Sequence, residues 1–155
     1  MLEDTILSKS RSRCLGESFF DKIVSSSIAY GIALATPEEI DSINILNATF
    51  AAMRRAIESL GVKPDFALID GNLVRDFGVP AAPVIKGDAI SCSIAAASIL
   101  AKVTRDRICL EDALKYPEYD FASNKGYGTK AHMDALRKYG PCPIHRRTFL
   151  KFLDT

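Results

Sequence analysis

The chain has 155 residues, 48% of them apolar and 25% charged, which excludes a disordered chain of low hydrophobicity and high charge and points to a single domain over 1–155 with one core. A net charge of +1 excludes the global basic field that marks many nucleic-acid binders. The four cysteines, Cys14, Cys92, Cys109 and Cys142, form no Cys-x-x-Cys pair, and neither a signal-peptide core nor an apolar run of about 18 residues occurs. A reduced cytoplasmic protein without a zinc site or a membrane span is expected.

In chain order, Glu17 to Ser25 predicts a short helix, with Phe19, Phe20, Ile23 and Val24 at helical spacing. Ser27 to Ala35 is a nearly continuous apolar run, the pattern of a strand buried on both faces. Thr36-Pro37-Glu38-Glu39 starts a helix, with Thr36 as N-cap, Pro37 at the first helical position and Glu39 closing a capping box. From Ile40 to Leu60, Ile43, Leu46, Ala48, Phe50, Met53, Ile57 and Leu60 trace one helix face, ended by Gly61 and Pro64. Phe66 to Ile69 is a short buried strand, with Asp70-Gly71-Asn72 turning the chain at its carboxyl end.

Phe77 to Pro83 reads as a loop and Val84-Ile85-Lys86 as a brief strand. Ser91 to Leu114 is the strongest helix, with Ile94, Ala97, Leu100, Ala101 and Ile108 facing one way and a cluster of small residues at 95–98 suited to close packing. The part from about 115 is helical: after the loop Lys125-Gly126-Tyr127-Gly128-Thr129, Thr129 caps a helix over Lys130 to Tyr139, and a last helix spans His145 to Leu153. Charge is uneven along the chain. Between Lys125 and Lys151, Lys125, Lys130, Arg137, Lys138, Arg146, Arg147 and Lys151 face only Asp134, so this stretch is either a local basic face or a solvated helix surface.

Candidate chemistry gathers at a few places. Asp70 and Asp88 lie where strands hand over to loops, and two such carboxylates suit a hard Mg²⁺ or Mn²⁺ ion. Equally, Asp-Gly is a common turn pair and Asp88 a natural helix cap. Tyr127, between two glycines and near Lys125, reads either as a ring that stacks on a base or sugar while Lys125 meets a phosphate, or as a turn whose ring folds onto the core. His145, Arg146 and Arg147 offer an acid or base and two guanidinium groups, or a structural histidine beside surface charges. His132 lies on a polar helix, and Lys102, Arg105 and Arg107 are a solvated helix face with Asp106 in local pairs.

Six blocks taken together resemble bacterial ribonuclease HII in order and spacing: EEIDSINILNAT at 38–49, LIDGN at 68–72, IKGD at 85–88, SIAAASILAKVTRDR at 93–107, KGYGT at 125–129 and PIHRRTF at 143–149. The resemblance implies an α/β, ribonuclease H-like fold with a helical C-terminal part. It implies four carboxylates holding two Mg²⁺ or Mn²⁺ ions for phosphodiester hydrolysis, with Asp70 and Asp88 as the third and fourth. Tyr127 matches the family tyrosine that packs on the sugar at an RNA-to-DNA junction, and His145 and Arg146 match a C-terminal motif that either touches substrate or holds the helix.

The family begins with a strand bearing Asp-Glu-Ala-Gly-Arg-Gly, and nothing in MLEDTILSKSRSRC corresponds to it. Asp4 to Ser8 or Ser8 to Ser10 is the nearest to a further family segment, which leaves Lys9 an uncertain equivalent. The expected fold therefore lacks its first strands, with exposed edges at 28–35 and 66–69. The expected function is an endonuclease cleaving the RNA strand of RNA–DNA hybrids, including 5′ of single ribonucleotides embedded in duplex DNA. A catalytically impaired remnant that at most binds nucleic acid is the alternative, and no obligate protein partner is evident.

Overall fold

The computed structural model describes residues 15–153; the expectations placed on Asp4 to Ser10 and on Cys14 lie outside these. The described residues form two compact units, one made of 15–33 and 53–103, the other of 34–52 and 104–153. Two long helices, α2 (Pro37–Glu58) and α4 (Cys92–Lys115), contribute residues to both.

In the first unit a helix α1 over 15–26 precedes an irregular segment. Gly16 lies against Val103 of α4, 3.4 Å from where its Cβ would stand. The predicted strand over Ser27 to Ala35 does not form: residues 29–36 belong to no helix or sheet, since strand conformation persists through a pairing partner and none of the described strands pairs with it. The segment presses on a helix instead. A Cβ at Gly31 would fall 2.1 Å from the Ala56 carbonyl oxygen, a contact only glycine permits.

The sheet is two parallel strands, β1 (Ala67–Asp70) and β2 (Ala81–Val84), registered so that Ala67 faces Ala81 and Asp70 faces Val84. The strand expected at 84–86 thus lies earlier, inside the stretch 77–83 whose Gly78, Pro80 and Pro83 predict a loop. Ala67 donates to the Pro80 carbonyl and Gly71 to the Val84 carbonyl, so even-numbered residues of β2 face β1. Pro83 points away on an edge, where its missing N–H breaks no ladder bond. The link between the strands buries Phe77. After β2 a tight turn and the short helix α3 (Gly87–Ile90) lead into α4, whose buried residues in this unit are Ile94, Leu100 and Val103. Ala97 and Ala101, expected on that face, are exposed.

In the second unit the capping box at Thr36 is present as read: Thr36 N–H donates to Glu39 Oε2 at 2.9 Å and Glu39 N–H to Thr36 Oγ1 at 3.2 Å. The helix that follows is not continuous. Asn44 has φ 67° and ψ 163°, and its Oδ1 accepts the Asn47 N–H at 3.1 Å, so an internal N-cap restarts the helix and only Ile40 and Ala48 of α2 are buried. Beyond α4 come a 3₁₀ turn (Pro117–Tyr119), α5 (Phe121–Asn124) and α6 (Lys130–Tyr139), the last capped by the Thr129 side chain and ended at Gly140 as predicted. The expected C-terminal helix resolves into two 3₁₀ turns, Arg147–Phe149 and Lys151–Leu153. Tyr119, Phe121 and Leu136 form the core, with Met133, Ile144, Leu150 and Phe152 packed around them.

Replacing Gly31 with alanine tests the close approach. The added methyl drives into a backbone carbonyl that has no rotamer to escape by, so Gly31→Ala should lower stability by about 1–3 kcal/mol in urea unfolding, and an unchanged midpoint would disprove the contact.

Candidate functional site

In the first unit, parallel pairing carries Asp70 to the carboxyl end of β1, level with Val84. Two residues beyond Val84 the chain turns through Lys86, at φ 55°, and the next amide, that of Gly87, donates to Asp70 Oδ1 at 2.8 Å. A Cβ on Gly87 would stand 3.3 Å from that same oxygen and 2.5 Å from Ile94 Cδ1. Glycine is therefore what lets the turn close on the carboxylate. The neighbour in sequence of this amide is Asp88, in the first turn of α3, so one short loop brings both acids to the same strand ends. Both are exposed. Their hard oxygens, one already anchored by an amide, fit a cation such as Mg²⁺ that keeps several waters and takes one or two protein carboxylates. Among the described residues no group of three or more His, Cys, Asp or Glu side chains is arranged around a metal position.

The second unit holds Lys125, Tyr127, His145 and Arg146. Lys125 and Gly126 both adopt positive φ, at 54° and 76°, and nearly every polar backbone group of this loop is engaged. Arg105 Nη2 donates to the Lys125 carbonyl at 2.7 Å, Gly126 N–H to Asn124 Oδ1 at 2.8 Å, and Tyr127 N–H to the Asn124 carbonyl at 2.9 Å. Asn124 is itself buried and bonded through Nδ2 to the Tyr119 carbonyl at 2.6 Å. On this fixed frame the Tyr127 side chain does not fold back onto the core. It is 70% exposed, an aromatic surface free to stack.

Cations gather beside it. Lys125 Nζ is buried without a hydrogen-bond partner among the described residues, its ion-pair oxygen, Asp106 Oδ1, standing 3.8 Å away. Arg146 Cζ lies over the Phe149 ring, 4.2 Å from its centroid; burial, and then the Arg105 charge, hold it below its usual range. Arg105 was read as part of a solvated helix face, yet it braces the loop and shares its field with Arg146. Asp41 also escaped notice. Its carboxylate accepts from the Arg147 and Thr148 amides at 2.7 and 3.0 Å and from the Thr148 hydroxyl at 2.6 Å, which hold it below the usual carboxylate value, the hydroxyl foremost, and fix the turn that follows Arg146.

His145 has both ring nitrogens occupied inside the protein: Nδ1 meets the Cys142 N–H and Sγ at 3.0 Å each, and Nε2 lies 3.0 Å from His132 Nε2. His132, taken from sequence as a residue of a polar helix, is buried. The signal was its position four residues before Leu136, which puts it on the inner face of α6. Hence Asp70 and Asp88 stand together in one unit, and Lys125, Tyr127, His145 and Arg146 in the other.

The family model described as Ribonuclease HII matches residues 6–152. Over 135 residues the chain is 53% identical to the ribonuclease HII of Caldicellulosiruptor bescii, covering 87% of this chain and 66% of that protein. Against the ribonuclease HII of Caldanaerobacter subterraneus it is 53% identical, covering 87% of this chain and 56% of that one. The chain thus spans between half and two thirds of the length of these relatives. Its fold is similar to that in the crystal structure of the ribonuclease H2 from Pyrococcus horikoshii OT3, with a TM-score of 0.75 and 28% identity over 92% of this chain and 76% of that one.

Burial holds His145 below its usual 6.5, with the neighbouring His132 next in effect. Below 6.5 the unfolded chain then binds a proton that the folded chain refuses, so this contribution to stability is complete above that pH and is lost as pH falls through the folded value. Urea midpoints should drop between about pH 7.5 and about pH 5.5, and drop less in His145→Gln. Equal losses in both proteins would show that this imidazole is not the source.

Proposed function

The chain belongs to the ribonuclease HII family, and from that premise we propose that it hydrolyses the RNA strand of RNA–DNA hybrids, including 5′ of single ribonucleotides in duplex DNA. The observation that carries the reading is the hydrogen bond from Gly87 to Asp70, which gathers Asp70 and Asp88 at the carboxyl ends of β1 and β2. They would hold Mg²⁺ or Mn²⁺. Such an ion, when bound, supplies the positive charge that makes a water nucleophilic near neutral pH and neutralises the leaving oxygen.

The chain's own residues orient the duplex. Asp70 keeps one oxygen on the Gly87 amide and so presents the other in a fixed direction. Tyr127 offers its exposed ring to a sugar or base, worth about 1–3 kcal/mol by analogy with stacking elsewhere. Lys125, whose buried ammonium has no hydrogen-bond partner among the described residues, and Arg146, placed over the Phe149 ring, each suit a backbone phosphate. In the cut itself a water oxygen bonds to phosphorus as the bond from phosphorus to the 3′ oxygen breaks, leaving a 3′-hydroxyl and a 5′-phosphate. His145, with both nitrogens engaged internally, serves as support rather than as acid or base. The substrate partner is nucleic acid, and no helix among the described residues is long and apolar enough to cross a membrane. A cytoplasmic site of action fits the unpaired Cys92, Cys109 and Cys142 of the described residues.

Two measurements test this. Purified protein with Mn²⁺ should nick a duplex containing one ribonucleotide, and Asp70→Asn or Asp88→Asn should lose at least the roughly 10–100-fold that changes around metal sites commonly cost. Cleavage equal to that of the doubly substituted protein would end the catalytic reading, and retained hybrid binding would then leave a binding protein. Separately, Lys125→Gln and Arg146→Gln should each flatten the salt dependence of hybrid binding by about one phosphate contact, whereas unchanged slopes would remove these two from the interface.

A further inference from the structure

We propose that His132 and His145 are positioning residues, a pair of neutral imidazoles of fixed tautomer that tethers the Tyr127 carbonyl to the core and so holds the Tyr127 ring where it meets a nucleotide; the nucleotide in this statement rests on the function proposed above. His132 Nδ1 lies 2.9 Å from the Tyr127 carbonyl oxygen. A carbonyl only accepts, so Nδ1 carries the proton. In a neutral ring His132 Nε2 is then an acceptor, and the atom facing it at 3.0 Å, His145 Nε2, must donate. His145 Nδ1 is left as a lone pair, which meets the Cys142 N–H at 3.0 Å. The Cys142 carbonyl stands farther from Nδ1, at 3.3 Å, and already receives the His145 amide at 3.0 Å. Each proton therefore has one place, from the Cys142 amide through two rings to the Tyr127 carbonyl.

A second proton on the pair would face the N–H of the other ring or, at His145 Nδ1, the Cys142 N–H, with the Cys142 Sγ 3.0 Å away beside it. Burial favours the neutral form of the His145 ring. The rings sit 5.2 Å apart between Tyr119, 4.9 Å from His145, and Phe121, 5.5 Å from each. The positive Arg146 also disfavours a charged ring at His145. The Thr129 N–H also reaches the Tyr127 carbonyl, at 2.8 Å, but it closes only a local turn. His132 is the donor that reaches the loop from the inner face of α6.

The tautomers can be read directly in the full chain by long-range ¹⁵N–¹H correlation, with no substitution needed. Protonated Nδ1 on His132 and protonated Nε2 on His145 are expected, and the opposite tautomer on His132, or a doubly protonated ring at neutral pH, would overturn the proposal. Side-chain geometry gives a second test. His132→Asn keeps a donor at the Nδ1 place, whereas His132→Gln moves it to the Nε2 place.

The backbone order parameter of Tyr127 should stay near about 0.85 in the wild type and in His132→Asn, and fall below about 0.6 in His132→Gln. Equal values in both variants would sink the tether. In hybrid binding His132→Gln should lose the same roughly fivefold or more that Tyr127→Ala loses, and the double substitution should lose little beyond either one. Independent, multiplying losses would mean that the imidazoles act elsewhere. A wild-type chain that binds no hybrid would defeat the proposed function alone, since tautomers and order parameters would still decide the tether.

Discussion

Parallel pairing of β1 with β2 is the constraint on which the carboxylate end of this protein depends. Its register puts Asp70 opposite Val84, and from there a turn of three residues suffices to return an amide to the Asp70 side chain. A slip of one residue would reverse the faces of a strand, carrying Asp70 away from the turn and leaving the Gly87 N–H without its acceptor. The absence of a side chain at Gly87 matters as much as the pairing, because a methyl there would contest the space of both Ile94 and the carboxylate. Backbone geometry thus sets the direction of a charged group before any ligand is considered.

The second unit solves a different problem with the same means. It has to hold a tyrosine in solvent on a loop that includes consecutive left-handed residues, a conformation disfavoured outside glycine. Lys125 tolerates it because its carbonyl is taken by Arg105 and the next two amides by Asn124. Asn124 and His132 are the buried polar residues of this protein's described part, and both are directed at that loop. Burying them without partners would cost about 1–3 kcal/mol each, so the core around Tyr119 and Phe121 rewards only the arrangement in which the loop is present and bonded.

Asn44 and Asp41 show how side chains decide where helices begin and end. A carboxamide four residues after a buried isoleucine interrupts α2 by bonding the backbone three residues on, and a carboxylate in the same helix receives two amides of a 3₁₀ turn more than a hundred positions later in the chain. Both residues belong to the run EEIDSINILNAT, which carries the likeness to the family without revealing these jobs.

What the sequence by itself determined lies within reach of four residues. The capping box at Thr36, the Thr129 cap and the Gly140 stop follow from side chains bonding nearby amides and from glycine's tolerance of positive φ, and they stand where the letters put them. Family membership was legible too, since six blocks in order need no coordinates, and with it Asp70, Asp88 and Tyr127 as candidates. Tertiary structure decided whatever needed a distant partner. The run at 28–35 is apolar enough for a strand, but a strand is made by its neighbour. Gly78, Pro80 and Pro83 made β2 read as a loop because the letters do not say which edge faces β1. His132 looked like one more polar letter on an amphipathic helix, and only the return of the Tyr127 carbonyl from the preceding loop and of His145 from the segment after α6 gave each of its two nitrogens a partner.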